Sequence, residues 1–450
     1  MAPLASAAAA ILFVVAWAAA QAPPNAPAQL MEKQDYEFHT PHAPKPPDDF
    51  TQYLLGDWMG VRSRLADRGV TFAVLLIADP FGNASGGVRR GAADYNLAGF
   101  GIIFHTDRLL GWPGGQFHVG FAENFGTSLS REYVGNGFPI QLADVADAHP
   151  RLTYLSYTQS LWEDRLSVRL GRLTINSVSG EEFLGSQYFK AFTSVGIDLV
   201  PLGIFLNAPG AFGYPDTTWG ARVKFEPVKR FYAMTGAYNG DPRLKQGERH
   251  GLDFSLRGPV FAIGEIGVRW NFERNSSRLP GNFKVGGYYN GGSTRVFAVA
   301  PAARSERERG RTGFYVVADQ GLVRWGEATQ DRHLGVFGGF TAAPDQRINR
   351  VPYFFDTGLV LYGPSAKRNR DFVGLAVVYG SYSHDLRLAE ELNQTPAGAQ
   401  NFEMAIDLNY GWTVRPGLLV QPDLQYVVHP NGNTRLRNAV AIGINIVLNL

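Results

Sequence analysis

Hydrophobic and polar positions alternate with a period of two along most of the chain, and the pattern is cleanest at its end. From Asn438 to Leu450, Val440, Ile442, Ile444, Ile446, Leu448 and Leu450 fall on one face, with Ala439, Ala441, Gly443, Asn445, Val447 and Asn449 on the other. Side chains alternate across a strand, so this is a strand with one apolar face and one small or polar face. A sheet that ends this way leaves an open edge unless its first strand closes onto it, as in a membrane barrel.

The same two-faced pattern recurs upstream. Leu166, Val168 and Leu170 oppose Ser167, Arg169 and Gly171, and Trp219, Ala221, Val223 and Phe225 oppose Gly220, Arg222, Lys224 and Glu226. Ile266, Val268 and Trp270 oppose Glu265, Gly267 and Arg269, while Phe402, Met404, Ile406 and Leu408 oppose Glu403, Asp407 and Asn409. Val420, Leu424, Tyr426 and Val428 oppose Gln421, Asp423 and Gln425. The charges share a face. After Gly69, sixteen stretches of about ten residues can be strands, the length a tilted membrane strand needs.

Period alone does not separate a soluble sandwich from a barrel with a wet lumen. Link lengths do: short turns at 111–114, 162–165, 227–229 and 414–416 alternate with links that include long ones near 126–150, 175–217, 290–312 and 383–400. Short turns on one rim and long loops on the other are the outer-membrane asymmetry. Val70 to Ile77 and Val373 to Val378 are apolar on both faces, which fits packing beneath the amphipathic helix or an infolded loop, or a slip in the strand register there.

Residues 1–20 read as an export signal, with Ala5 to Ala20 apolar and Ala18-Ala19-Ala20 a small-residue cleavage site. Lys33 is the first basic residue, so the signal is atypical or its start lies upstream. Residues 21–50 form a Pro-rich periplasmic leader. Residues 51–69 hold a short amphipathic helix, with Asp57 as N-cap, an apolar side of Trp58, Val61 and Leu65, and Arg62, Arg64 and Arg68 elsewhere. Residues 70–450 make the barrel.

Composition agrees. The chain has 52 Gly, 30 Phe and 19 Tyr, no Cys, and a net charge of +2 that suggests no nucleic-acid partner. No stretch after the first twenty residues has the roughly 18 to 20 apolar residues of a helical span.

Gly56-Asp57-Trp58-Met59-Gly60-Val61-Arg62 resembles the opening stretch of the carbohydrate-selective outer-membrane porins of the OprB type, with Met59 where Gly is common. Leu110 to Gly115, Leu166 to Leu173, Gly264 to Asn271 and Leu279-Pro280-Gly281 follow in family order, and Gln421-Pro422-Asp423-Leu424-Gln425-Tyr426 is similar to the family's segment before its last strand. The resemblance covers roughly residues 53 to 450. It implies an all-β, sixteen-stranded antiparallel transmembrane barrel in a Gram-negative outer membrane that passes sugars such as glucose. Leu450 stands where an aromatic residue is usual.

Inward candidates for lining the pore or contacting sugar are Arg169, Arg222, Lys224, Glu265, Arg269, Glu403, Asp407, Asp423 and Gln425, with Gln421 and Asn409 as neutral partners. Carboxylates accept from hydroxyls, and Arg and Lys donate. The same charges could simply solvate the wall, and their mixed signs argue against strong ion selectivity. The link from Asn176 to Asp216 is rich in large apolar residues and is expected to tuck into the barrel, bringing Glu181, Glu182 or Asp198 near the path. Capping the rim or contacting a neighbour is the alternative. Arg and Glu alternate over Ser305 to Arg311, as in a solvated loop or one bridging lipopolysaccharide phosphates.

An enzyme is not expected. Gly-x-Ser-x-Gly, His-Glu-x-x-His and the phosphate-binding loop are absent from the sequence, and no spacing supports a metal or cofactor. His105, His118 and His384 fall on or beside expected strands. The remaining alternatives are a porin without sugar preference, a lipid-modifying barrel enzyme and an adhesive barrel. The pattern leaves monomer or homotrimer open.

Overall fold

The computed structural model describes residues 50–450 apart from 177–182, 199–201, 246–249, 273–277, 300–305, 326–331 and 395–397. The expected signal peptide and nearly all of the leader lie outside the described residues. Sixteen antiparallel strands close into one barrel in which each strand pairs with its sequence neighbours and the first pairs with the last.

The strands are β1 (Val70–Gly87), β2 (Gly91–His105), β3 (Gly115–Gly126), β4 (Pro150–Leu161), β5 (Leu166–Leu173) and β6 (Thr218–Val228). They continue with β7 (Phe231–Asn239), β8 (Val260–Trp270), β9 (Gly281–Arg295), β10 (Arg307–Arg324) and β11 (His333–Ala342). The wall is completed by β12 (Tyr353–Tyr362), β13 (Phe372–Ser381), β14 (Phe402–Arg415), β15 (Leu418–Val428) and β16 (Arg437–Asn449). A sixteen-stranded barrel is wide enough to hold an aqueous channel.

The alternation read from the sequence becomes inside and outside. On β16, Ile442 and Ile444 are 54% and 43% exposed while Ala441 and Asn445 are fully buried. Phe100, Phe121, Leu170, Ile266, Phe283, Phe314, Leu359 and Leu408 share the exposed outer side. Such a continuous apolar exterior fits lipid. No described helix is long and apolar enough to cross a membrane.

Two expected links differ. The link placed at 290–312 shrinks to 296–306, because the β9–β10 ladder carries past a bulge near Arg309 up to Arg295 opposite Arg307. The link at 383–400 contains a helix, α2 (His384–Leu392), begun where Ser383 Oγ accepts from Asp385 N and Leu386 N at 3.1 and 3.2 Å. His384, expected on or beside a strand, opens that helix.

The N-terminal helix α1 (Val61–Asp67) lies against the β1–β16 seam, but its buried side is Arg62 and Ala66, with Val61 exposed. Helix amphipathicity misassigned the face because the Arg62 guanidinium finds four aromatic rings and backbone oxygens. It lies 4.0 Å from the Tyr53 ring centre and 4.6 Å from that of Phe72, donates to Phe72 O at 3.2 Å, and also donates to the main-chain oxygen of Leu450. Phe50 and Trp58 supply the other two rings. Leu54 N donates to Asn449 O at 2.8 Å, and Leu54 packs on Leu418 and Leu448. Gly417 (φ +75°) makes this approach possible, since a Cβ there would meet Leu54 N at 2.2 Å. Asp57 sits three residues before Gly60, the residue preceding the helix, yet still accepts from Ser63 N at 2.8 Å.

Replacing Arg62 with Ala leaves buried carbonyls without their donor, a cost of about 1–3 kcal/mol. The expected outcome is a lower denaturant midpoint for the folded barrel in detergent; an unchanged midpoint would remove Arg62 from the seam's stability.

Candidate functional site

Two links turn inward and fill one side of the lumen. From the β3–β4 link (127–149), Leu129, Val134, Phe138 and Ile140 are buried, and from the β5–β6 link (174–217), Phe183, Leu184, Phe189, Phe192, Ile197 and Ile204 are buried. The expected infolding of the second link is therefore present. These side chains join inward wall residues Phe337, Phe354, Phe372 and Val378 in one hydrophobic cluster. That cluster explains the two-sided apolar stretches. Leu75 and Ile77 face it from β1, and Val378 lies against Gly196, where an added Cβ would sit 3.3 Å away.

Infolded backbone brings N–H and C=O groups that need partners. The wall supplies them. Glu403 accepts from Gly137 N at 2.7 Å and Phe138 N at 2.9 Å, and also from Asn431 N. Asp79 accepts from Ala143 N at 2.8 Å and from Asn445. Glu265 accepts from Leu184 N at 2.8 Å and from the hydroxyls of Tyr232 and Tyr315 at 2.6 and 3.0 Å. Asp319 accepts from Ser186 Oγ at 2.8 Å and Gln187 Nε2 at 2.6 Å, and Lys284 Nζ donates to Gly185 O.

On β14 and β15, Asp407 accepts from Ser194 N at 3.2 Å and from Asn409 Nδ2 at 2.9 Å, while Thr193 Oγ1 donates to Asp423 at 2.7 Å. Gln421 Nε2 donates to Ala191 O at 2.9 Å. Gln425 joins both links, donating to Ile140 O at 3.0 Å and Thr193 Oγ1 at 2.9 Å. Glu265, Glu403, Asp407, Asp423 and Gln425 thus face inward, are at most 4% exposed, and hold loop backbone or loop side chains.

The cationic candidates cluster on β5, β6 and β8, the last of which also carries Glu265. Arg169 on β5 is directly opposite Arg222 on β6, and Lys224 lies two residues further along β6. Arg169 reaches His118 Nδ1 at 3.1 Å and Ser156 Oγ at 3.3 Å, and it lies over the Tyr154 ring at 5.3 Å. Arg222 donates to Ser167 Oγ at 3.3 Å. Glu226 pairs with Lys224 at 3.4 Å and with Arg269 at 2.5 Å. Arg222 and Lys224 are buried, Arg169 is half-buried, and the Arg269 side chain keeps 24% exposure.

Beside Arg169, His118, Tyr154 and Tyr214 form a stacked column with ring centres 4.4 and 5.9 Å apart. The sequence places His118 on or beside a strand and does not single out Tyr154. Asp79 and Asp319 were also missed. Their signal was a lone carboxylate on an inward row of otherwise apolar residues, as in Tyr315-x-Val317-x-Asp319. Asp198 is buried, which pushes its carboxyl well above the usual range, with Asp79 and Asp407 adding to the rise and Lys190 opposing it. Glu181 and Glu182 lie outside the described residues. Among the described residues, no group of three His, Cys, Asp or Glu side chains could hold a metal.

An even-numbered closed barrel, apolar outside and polar within, with a lumen narrowed by infolded links, is an outer-membrane porin fold. The chain belongs to the carbohydrate-selective porins of the OprB family, whose family model matches residues 89–450. It is 26% identical over 428 residues to Porin B of Pseudomonas aeruginosa, an alignment covering 88% of this chain and 91% of that protein. It is 21% identical over 423 residues to the putative porin QuiX of Acinetobacter baylyi, covering 88% and 93%. Among solved structures, the high-pH form of Pseudomonas putida OprB superposes with a TM-score of 0.80 at 23% identity, covering 89% of this chain and 99% of that one. The chain is thus a carbohydrate-selective channel of the Gram-negative outer membrane.

Two outcomes test this anchoring. Glu403→Ala removes the acceptor shared by three N–H groups, so single-channel current noise should rise strongly, and less so for Glu403→Gln; quiet channels in both variants would contradict it. Asp144 in the β3–β4 link is pushed up to about 6 by burial, against the pull of Ser128 and Arg131. A raised carboxyl stabilises the fold fully below its unfolded value near 3.8, and that contribution is lost as pH rises through about 6. Asp144→Asn should therefore gain thermal stability relative to the parent chain as pH goes from 4 to 7; a constant difference in melting temperature would contradict the assignment.

Proposed function

We propose that small neutral sugars such as glucose diffuse passively past Arg169, Arg222, Lys224 and Arg269, and that the loop-bound carboxylates act on sugar only indirectly, by fixing the loops. One observation carries this reading. Arg169 and Arg222 are held directly opposite each other across β5 and β6. Like charges in that position are destabilising, and a cost of this kind persists where function requires it.

The chemistry suits polyols. Guanidinium and ammonium groups only donate hydrogen bonds, so sugar hydroxyl oxygens accept from them, while Glu226 is placed to accept from sugar hydroxyls. Replacing part of the hydration shell with such contacts, without tight binding, allows entry and release. The buried Tyr154 ring backs Arg169 and stacks on Tyr214. With the acids bound to loops and Arg222 and Lys224 buried, Arg169 and Arg269 are the candidate charges that keep exposure, and the salt current past them favours anions.

Export through a signal peptide at residues 1–20 belongs to the same reading, as does contact of Arg307 and Arg309 with lipopolysaccharide phosphates. Catalysis does not. Because the barrel closes within one chain, a monomer suffices for passage.

In planar bilayers, glucose should reduce the salt current in a saturable way and the reversal potential should indicate anion preference. Arg169→Gln should weaken glucose block several-fold more than it changes salt conductance. A current indifferent to sugar would point to a porin without sugar preference, and equal losses of block and conductance would point to damaged assembly.

A further inference from the structure

The link between β7 and β8 contains a strap that crosses the outside of the wall. Leu152 N on β4 donates to His250 O at 2.9 Å. Arg172 on β5 and the Trp219 indole on β6 donate to Asp253 O at 3.2 and 3.0 Å. Asn239 on β7 donates from its side chain to Ser255 O at 3.0 Å. Residues 250–255 therefore run crosswise over four consecutive strands.

Register places the strap on the outer face. Arg172 pairs with Leu155 on one side and Trp219 on the other. Leu155 is exposed on the lipid side, as are Leu170 and Val223 just below. Asn239 lies two residues beyond Ala237, which pairs with Ala221 and Ala262 in the same outward row. Arg172 is only 2% exposed because the strap covers it.

Leu252, Phe254 and Leu256 are 58%, 61% and 76% exposed, while the Asp253 and Ser255 carbonyls tie the strap down. Phe254 also lies 5.4 Å from the Trp219 ring centre. Leaving three such side chains in water forgoes about 1.5–3 kcal/mol each. Height decides what covers them. Trp219 lies six positions along β6 from Phe225 in the lower part of the band, about 15 Å along the membrane normal for a strand tilted about 40°, inside an apolar band about 25 Å tall.

We propose that residues 251–256 are a lipid-seated strap, with Leu252, Phe254 and Leu256 packed among outer-leaflet acyl chains. The strap continues the apolar exterior of β4 to β7 past the row where the wall turns polar at Arg172 and Asn239. It also shields the Arg172 guanidinium from lipid by giving it the Asp253 carbonyl as a partner, beside the Thr217 carbonyl that precedes β6.

The chain has no Cys, so single nitroxide labels report cleanly. Leu252→Cys, Phe254→Cys and Leu256→Cys would be labelled in proteoliposomes beside a lipid-side reference, Leu170→Cys, and a reference on α2, Leu392→Cys. The strap labels should collide with oxygen several-fold more than with a water-soluble nickel chelate, matching Leu170. A ratio matching Leu392 would overturn the proposal, as would shielding from both reagents with spin coupling between copies, which would mean a second chain sits there. Should a Cys variant fail to show the heat-modifiable migration of a folded barrel, Trp at that position and quenching by bromine on lipid acyl chains give the same contrast.

Discussion

Wall carboxylates bonded to loop backbone are the interaction on which this structure depends. Sixteen strands enclose more space than a sugar path needs, and the surplus is filled by polypeptide whose amides must be satisfied away from water. Glu403, Asp79, Glu265 and Asp407 each accept from a main-chain N–H of an infolded link. Their acidity thus serves mainly to place the links. Phe138, Phe183, Phe189 and Phe192 then bury against wall aromatics and keep the links in place once their polar groups are paired.

This division separates the charges. Acids on β1, β8, β10, β14 and β15 hold loops, and in the proposed reading Arg169 on β5 and Arg269 on β8 are left to meet solute. A second pairing of the same kind closes the barrel at its other end, where Arg62 meets the rings around it and the main-chain oxygen of Leu450.

Much of the architecture was legible in the chain because a barrel in lipid writes its inside and outside into alternate residues. The rows Ile442–Ile444 and Ala441–Asn445 are the direct print of that rule. What stayed illegible depends on distance along the chain. Phe138 and Glu403 are 265 positions apart, and nothing local distinguishes a carboxylate that binds loop amides from one that faces water. Arg62 was misread for a related reason, since helix periodicity counts an arginine as polar whether or not aromatic rings surround it. Asp79 is absent from the expected set although it is a carboxylate within a run that is otherwise apolar.

Amide hydrogen exchange on the protein in nanodiscs tests the central claim most directly. The account predicts that Gly137, Phe138, Ala143, Leu184 and Ser194 exchange as slowly as amides of the strands, although all five belong to loops. Exchange at the rate of the exposed residues around Asn393 would contradict it, because the links would then not be held by the wall.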